Sequence, residues 1–234
     1  MRDIWKSWGV SVTGARHIKE NLPNQDSLLF KKFKNGSIAV VSDGLGSKPF
    51  SDIGSKAACK SVIEAGLLYR KHKECNYKVL SMLIHAFWIL KLGILKPSEC
   101  SATCLFAMQI KNSIILGRLG DGMIIASGKE KFIVMEDNEK EDFLSNFTDC
   151  LGNSYSEEKW EVKMIPADKI DSIILCTDGV SNGINSEKIH EFSQGIYECY
   201  KKMKNKKRLK EISKWLEEWP VSDDKTLACL YREK

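Results

Sequence analysis

Ser37-Ile-Ala-Val-Val-Ser-Asp43-Gly44 and Ser172-Ile-Ile-Leu-Cys-Thr-Asp178-Gly179 decide how this chain is read. Each is a serine, four apolar residues, a hydroxyl residue, then Asp-Gly. A short unbroken apolar run of this kind fits a buried strand. A weaker third copy is Ile114-Ile-Leu-Gly-Arg-Leu-Gly-Asp121-Gly122. A single Asp-Gly after a strand is ordinary turn chemistry. Three in one chain, two with matching lead-ins, point instead to carboxylates placed at strand ends for a purpose.

Outward from these runs the pattern alternates in blocks. Strand-length stretches are expected at 4–13, 26–33 and 36–42. Two helical stripes follow, one through Ala58, Val62, Ile63 and Leu67, the other through Val79, Leu80, Leu83, Ile84, Phe87 and Trp88. Strands resume at 101–110, 113–119, 123–127 and 131–135, parted by turn residues. Their close spacing predicts an antiparallel meander, because parallel strands need longer crossovers. Residues 136–159 read as a long loop, of the length that usually carries function. Strands are expected again at 160–165 and 171–177, then a second helix pair through Ile189, Phe192, Ile196 and Tyr200, and through Leu209, Ile212 and Leu216. A strand at 226–232 follows. Two amphipathic helix pairs must each cover an apolar face. About ten short strands fit two packed sheets. The expectation is an α+β fold, a four-layer αββα sandwich of two antiparallel sheets flanked by helix pairs, with residues 1–234 as a single domain.

The 234 residues are 43% hydrophobic and 29% charged, with a net charge of +5. That composition excludes a disordered chain and permits an anionic partner without demanding nucleic acid. No apolar run approaches the ~18 residues of a membrane span, and MRDIWKSWGV lacks a secretory h-region. The eight cysteines form no CxxC pair, and Cys104, Cys176, Cys199 and Cys229 lie in apolar patterns. They read as reduced, mostly buried thiols of a cytoplasmic protein rather than zinc ligands. The run KKMKNKKRLK (201–210) carries seven basic residues and reads as a solvated junction between helices. Lys48 lies outside any GxxxxGK[ST] loop, so a nucleotide P-loop is excluded.

Two more acidic positions join the Asp-Gly ends: Asn24-Gln25-Asp26 before one strand and Ser222-Asp223-Asp224-Lys225-Thr226 before the last. Aspartate is poor in strands. Several converging carboxylates repel unless a cation neutralises them. Oxygen ligands without His or Cys at metal spacing select a hard ion, Mg²⁺, Mn²⁺ or Ca²⁺. The EF-hand pattern is absent, so the fold itself must assemble the site.

Asn24-Gln25-Asp26, Asp43-Gly44-Leu45-Gly46, Ser101-Ala102-Thr103, Gly120-Asp121-Gly122, Thr177-Asp178-Gly179 and Asp223-Asp224-Lys225-Thr226 occur in the order of the motifs of metal-dependent protein phosphatases. The chain resembles a compact bacterial-type member of that PPM, or type 2C, family over about residues 9–231. The resemblance implies a serine/threonine phosphatase with two Mg²⁺ or Mn²⁺ ions. Asp43 would bridge them, the Gly44 carbonyl would be a further ligand, Asp178 and Asp223 would hold one ion, and Asp26 would act through water. Asp121 and Thr103 match positions near an additional metal. A metal-activated water then attacks phosphorus directly, so no Cys or Ser nucleophile is needed. The implied partner is a phosphorylated protein, with a serine/threonine kinase alongside, no nucleic acid, no membrane and a monomeric state.

The chain also departs from the family pattern. Asn182 stands where many members have a further Asp, which predicts a weakly bound third metal. Asn21 stands where many have a phosphate-binding Arg, so Arg16, His17 or Lys19 must supply that charge. His17 is favoured, on the expectation that Gly14-x-x-His17 ends a strand beside Asp26. The competing reading is a pseudophosphatase that binds a phosphoprotein or kinase without turnover.

Overall fold

A computed structural model describes residues 4–72, 76–136 and 148–233. Among the described residues, ten strands form two antiparallel sheets. The first has the order β1 (Ile4–Val12), β10 (Lys225–Glu233), β9 (Ser172–Cys176), β6 (Met123–Ser127), β7 (Phe132–Met135). The second has the order β2 (Ser27–Phe33), β3 (Gly36–Ser42), β4 (Cys104–Ile110), β5 (Ser113–Leu119), β8 (Glu161–Pro166). Helices α2 (Ser51–Tyr69) and α3 (Tyr77–Leu92) cover the second sheet, and α5 (Ile189–Tyr200) and α6 (Asn205–Glu217) cover the first. The expected four-layer sandwich is the observed one.

The two apolar runs are buried on both faces because their sheets are inner layers. In β3, Ile38 and Val40 pack under α2 and α3, while Ala39 and Val41 face the other sheet. In β9, Ile174 and Cys176 pack under α5 and α6, while Ile173 and Leu175 meet β3, β4 and β5. Alternate side chains leave opposite faces of a strand, so a central strand of this sandwich has no polar face to show. Trp88, fully buried, donates its indole N–H to the Gly54 carbonyl and locks α3 onto α2.

Two short helices do not follow from periodicity. Helix α1 (Ala15–Glu20) occupies the segment expected to end a strand, and α4 (Asp178–Ser181) starts on the second Asp-Gly. Six and four residues are too few to print a 3.6-residue pattern. The 101–110 stretch is strand only from Cys104. Ala102 instead bridges Gly44 and Leu151. Cys199, expected to be buried, is exposed on α5. Of the 136–159 loop, residues 137–147 lie outside the described residues. Its second half is irregular and returns to α3, with the Tyr155 hydroxyl 2.8 Å from that of Ser81 and His85 Nε2 3.0 Å from the Gly152 carbonyl. No helix among the described residues is long and apolar enough to cross a membrane.

Candidate active site

The carboxylates gather where β3, β9 and β10 meet at one end of the two sheets. Asp43 leaves the C-terminus of β3, Asp178 the C-terminus of β9, and Asp223 precedes β10. Asp26 precedes β2, the antiparallel neighbour of β3, so it starts where β3 ends. Asp121 sits in the β5–β6 turn. That turn needs glycine, since Gly120 (φ 92°) and Gly122 (φ 91°) occupy the left-handed region.

Gly44 and Gly179 serve a different need. Neither has a positive φ. A Cβ on Gly44 would lie 2.4 Å from the Ser51 carbonyl at the start of α2, and one on Gly179 would lie 1.9 Å from the Asp224 carbonyl. Both glycines let another segment press against the backbone beside a site aspartate. These two Asp-Gly pairs therefore mark close packing rather than hairpin turns.

Hydroxyls fix the acids. Thr103 Oγ1 accepts from the Asp43 N–H at 2.9 Å, and the Thr103 N–H donates to the Asp43 carbonyl at 2.8 Å. Thr177 Oγ1 donates to Asp26 Oδ2 at 2.8 Å and accepts from the Thr226 N–H at 3.1 Å. Thr148 Oγ1 donates to Asp121 Oδ2 at 3.0 Å, so the long loop reaches the site. Arg118 holds the Gly120 carbonyl at 2.8 Å.

Asp224 is an anchor. Its Oδ1 accepts from the Gly14 N–H at 2.7 Å, and its Oδ2 from the Gln25 N–H at 2.6 Å and from His17 Nδ1 at 2.8 Å. These bonds tie α1, the Asp26 segment and the start of β10 together. His17, Asp223 and Asp224 stand close enough to share an ion. Three donors already occupy most of the lone pairs of Asp224, which argues against that use.

His17 is buried in α1, not at a strand end. With Nδ1 donating to Asp224, Nε2 is the acceptor for Arg16 Nη2 at 3.3 Å. Arg16 Nη2 also stands 3.3 Å from both Asp223 oxygens, with about half of its side chain exposed. Lys19 is exposed on α1 and makes no hydrogen bond or ion pair with these acids. Asn182 ends α4, and Asn21 ends α1 in a left-handed turn. Sequence reasoning named Arg16, His17 and the aspartates, but set His17 at a strand end where the structure has α1. It missed the roles of Thr177, Thr148 and Asp224, whose only signals are position beside an aspartate or in a loop. It also missed Lys225, buried, with an ammonium lowered by burial and supported by Asp224, Asp223 and Asp26.

The electrostatics of the cluster are unbalanced. Burial, chiefly, pushes Asp26 up to about 7. Burial and then the charges of Asp26 and Asp178 push Asp43 well above the usual range. Burial and then Asp121 and Asp223 push Asp178 up to about 6. Asp26 Oδ1 is buried without a donor, while the Asp43 carboxylate lies within hydrogen-bonding reach of Asp26. Carboxylates pressed together with an orphaned oxygen fit hard divalent cations, which supply charge where no proton donor stands.

Residues 13–218 match the family model described as Protein phosphatase 2C. No curated protein matches. Among solved structures, the chain is similar to the S. agalactiae serine/threonine phosphatase, at 14% identity and a TM-score of 0.69, covering 98% of this chain and 100% of that one. It is similar to the serine/threonine phosphatase of Staphylococcus aureus at 13% identity and a TM-score of 0.64, over 99% and 96% of the two chains. A C. elegans sex determining protein aligns at 15% identity and a TM-score of 0.71, over 97% of this chain and 64% of that one. At such identities the structures speak for the fold, whereas the family model spans most of the sequence, and the chain therefore belongs to the protein phosphatase 2C family.

Proposed function

We propose that the protein is a divalent-cation-dependent phosphatase of phosphoserine and phosphothreonine in proteins. The observation that carries this reading is the convergence of Asp26, Asp43, Asp121, Asp178 and Asp223, whose charges act on one another, with a buried Asp26 oxygen that has no hydrogen-bond partner.

Asp43 with the Gly44 carbonyl, Asp26, Asp178 and Asp223 would hold two Mg²⁺ or Mn²⁺ ions. Asp121, with Thr103 nearby, and the neutral Asn182 offer only a weaker third place. Bound cations lower the pKa of coordinated water and neutralise phosphoryl oxygens, the help that a very slow phosphomonoester hydrolysis requires. The chain's own residues prepare that reaction. Thr103 fixes the Asp43 backbone, and Thr177 fixes Asp26. Asp224 and His17 set the orientation of α1, which carries Arg16 over the mouth of the site. Arg16, exposed and donating to Asp223, is placed to take a phosphoryl oxygen in the role that Asn21 does not fill. His17 is a positioning residue, since both ring nitrogens are engaged. The partner is a phosphorylated protein. A cognate kinase, a cytoplasmic location and a monomeric state belong to the same reading.

Phosphate release from p-nitrophenyl phosphate and from a phosphothreonine peptide tests it, with Mn²⁺, Mg²⁺ or chelator. Metal-dependent release that Asp43→Asn and Asp178→Asn both abolish is expected. Peptide binding without release under every metal condition would overturn it in favour of a non-catalytic binder.

A further inference from the structure

Resting on the phosphatase reading above, we infer that a groove beside α1 takes an aliphatic side chain of the phosphoprotein, two to four residues from its phosphorylated residue, with a basic residue next to it. Helix α1 is short but firmly held. The Asp224 carboxylate accepts from the Gly14 N–H and His17 Nδ1, and the Arg16 N–H donates to the Ser222 carbonyl at 3.2 Å. Two large apolar side chains on this fixed segment face solvent: Ile18 is 64% exposed and Leu22 is 42% exposed. Single exposed apolar residues are ordinary. These two line one groove of about 590 Å³ together with Val12 of β1.

The groove adjoins the mouth of the aspartate site. Arg16 and Ile18 are two positions apart, so they leave the helix on opposite flanks of buried His17. The His17 ring serves both flanks. Its Nε2 stands 3.3 Å from Arg16 Nη2 and 3.9 Å from Asp223 Oδ1, and the same side chain lines the groove. A helix is about 10 Å across with its side chains. An extended chain rises ~3.3 Å per residue, so about three residues carry it from a phosphoryl group at Arg16 over α1 to the groove.

Size and charge select the occupant. Among the described residues seven line the groove, against the roughly 20–30 a side of a stable protein–protein interface. It therefore suits one side chain of an extended segment rather than a second folded chain. Val12, Ile18 and Leu22 present aliphatic surface only, and burying a leucine, isoleucine, valine or methionine against it is favourable. Glu217 of α6 also lines the groove, exposed and without an ion pair among the described residues, and no Lys or Arg lines it. A lysine or arginine beside the aliphatic residue would meet that charge.

Steady-state hydrolysis of phosphothreonine peptides with Mn²⁺ tests this specificity. The reference peptide has alanine at the four positions on each side, and leucine replaces one alanine at a time. A leucine two to four residues from the phosphothreonine should raise kcat/KM at least about fivefold, through a lower KM. In the double variant Ile18→Ser, Leu22→Ser, which changes two exposed residues, that gain should fall below twofold. Lysine next to the leucine should be preferred over glutamate, and Glu217→Lys should reverse that order. Gains under fivefold at every position, a gain confined to the immediate neighbours of the phosphothreonine, a gain of twofold or more kept by the double variant, or an order unmoved by Glu217→Lys would each overturn it. If no peptide is hydrolysed, it is the phosphatase reading that fails, and fluorescence anisotropy with the same peptides and variants then judges the groove by the same ratios of affinity.

Discussion

Raising the pH of the cation-free protein from 5 to 8 should destabilise it, and Mg²⁺ should restore more stability at pH 8 than at pH 5. The magnitude follows from Asp26. Its carboxyl is pushed from 3.8 to about 7, mainly by burial. The folded chain therefore keeps this proton up to about pH 7, while the unfolded chain releases it near 3.8. Across that window the folded state binds more protons, so its stability falls as pH rises. At ~1.4 kcal/mol per pH unit, the roughly two units between pH 5 and the folded value near 7 remove about 3 kcal/mol by pH 8. Asp178, pushed up to about 6, acts in the same direction. For a domain of this size, a loss of about 3 kcal/mol corresponds to a melting-temperature change on the order of 10 °C. Thermal melts followed by circular dichroism in EDTA and in 5 mM Mg²⁺, at pH 5, 6, 7 and 8, measure it. Asp26→Asn keeps an acceptor for Thr177 and removes one titration, so in EDTA its melting temperature should depend less on pH, with the remaining slope left to Asp43 and Asp178. A parent protein whose EDTA melting temperature is level or rising from pH 5 to 8, with the same Mg²⁺ increment throughout, would refute the reasoning.

Other outcomes follow from particular contacts. Thr103→Val strips the acceptor from the Asp43 N–H and should cost about 1–3 kcal/mol in chemical denaturation, with a lower kcat at unchanged KM. Asp224→Ala leaves Gly14, Gln25 and His17 without their acceptor and should cost about 3–5 kcal/mol, read as a lowered urea midpoint. Gly54→Ala would put a Cβ 1.7 Å from the Cys100 carbonyl, where neither backbone can yield. A loss of about 3 kcal/mol or more in the same denaturation assay is expected. Arg16→Ala should raise KM for a phosphothreonine peptide several-fold and leave the melting temperature within about 1 °C, because its ion pair with Asp223 is exposed.

The layers were legible because their signals are local. Four consecutive apolar residues in β3 and β9 can only be buried on both sides, and the stripes of α2, α3, α5 and α6 state which face each helix hides. The aspartates were legible because each ends or begins such a run. Helix α1 was not, because six residues carry no period and its orientation comes from Asp224, some 210 positions away. The resemblance singles out Asp223, but residue order gives its neighbour Asp224 no role. Folding gives one to Arg16 at the open mouth and the other to three buried donors.

Residue order alone determined the sandwich, the strand ends that carry acid and the hard-ion character of those acids. All of these follow from side-chain type and spacing along a few neighbouring residues. Only the tertiary structure decided that Asp26 is buried beside Asp43 with one oxygen unpartnered, that Gly44 and Gly179 serve close approach rather than a turn, and that Arg208 from a solvated-looking basic run is buried. These depend on which distant segments pack together, and sequence spacing carries no record of such distances.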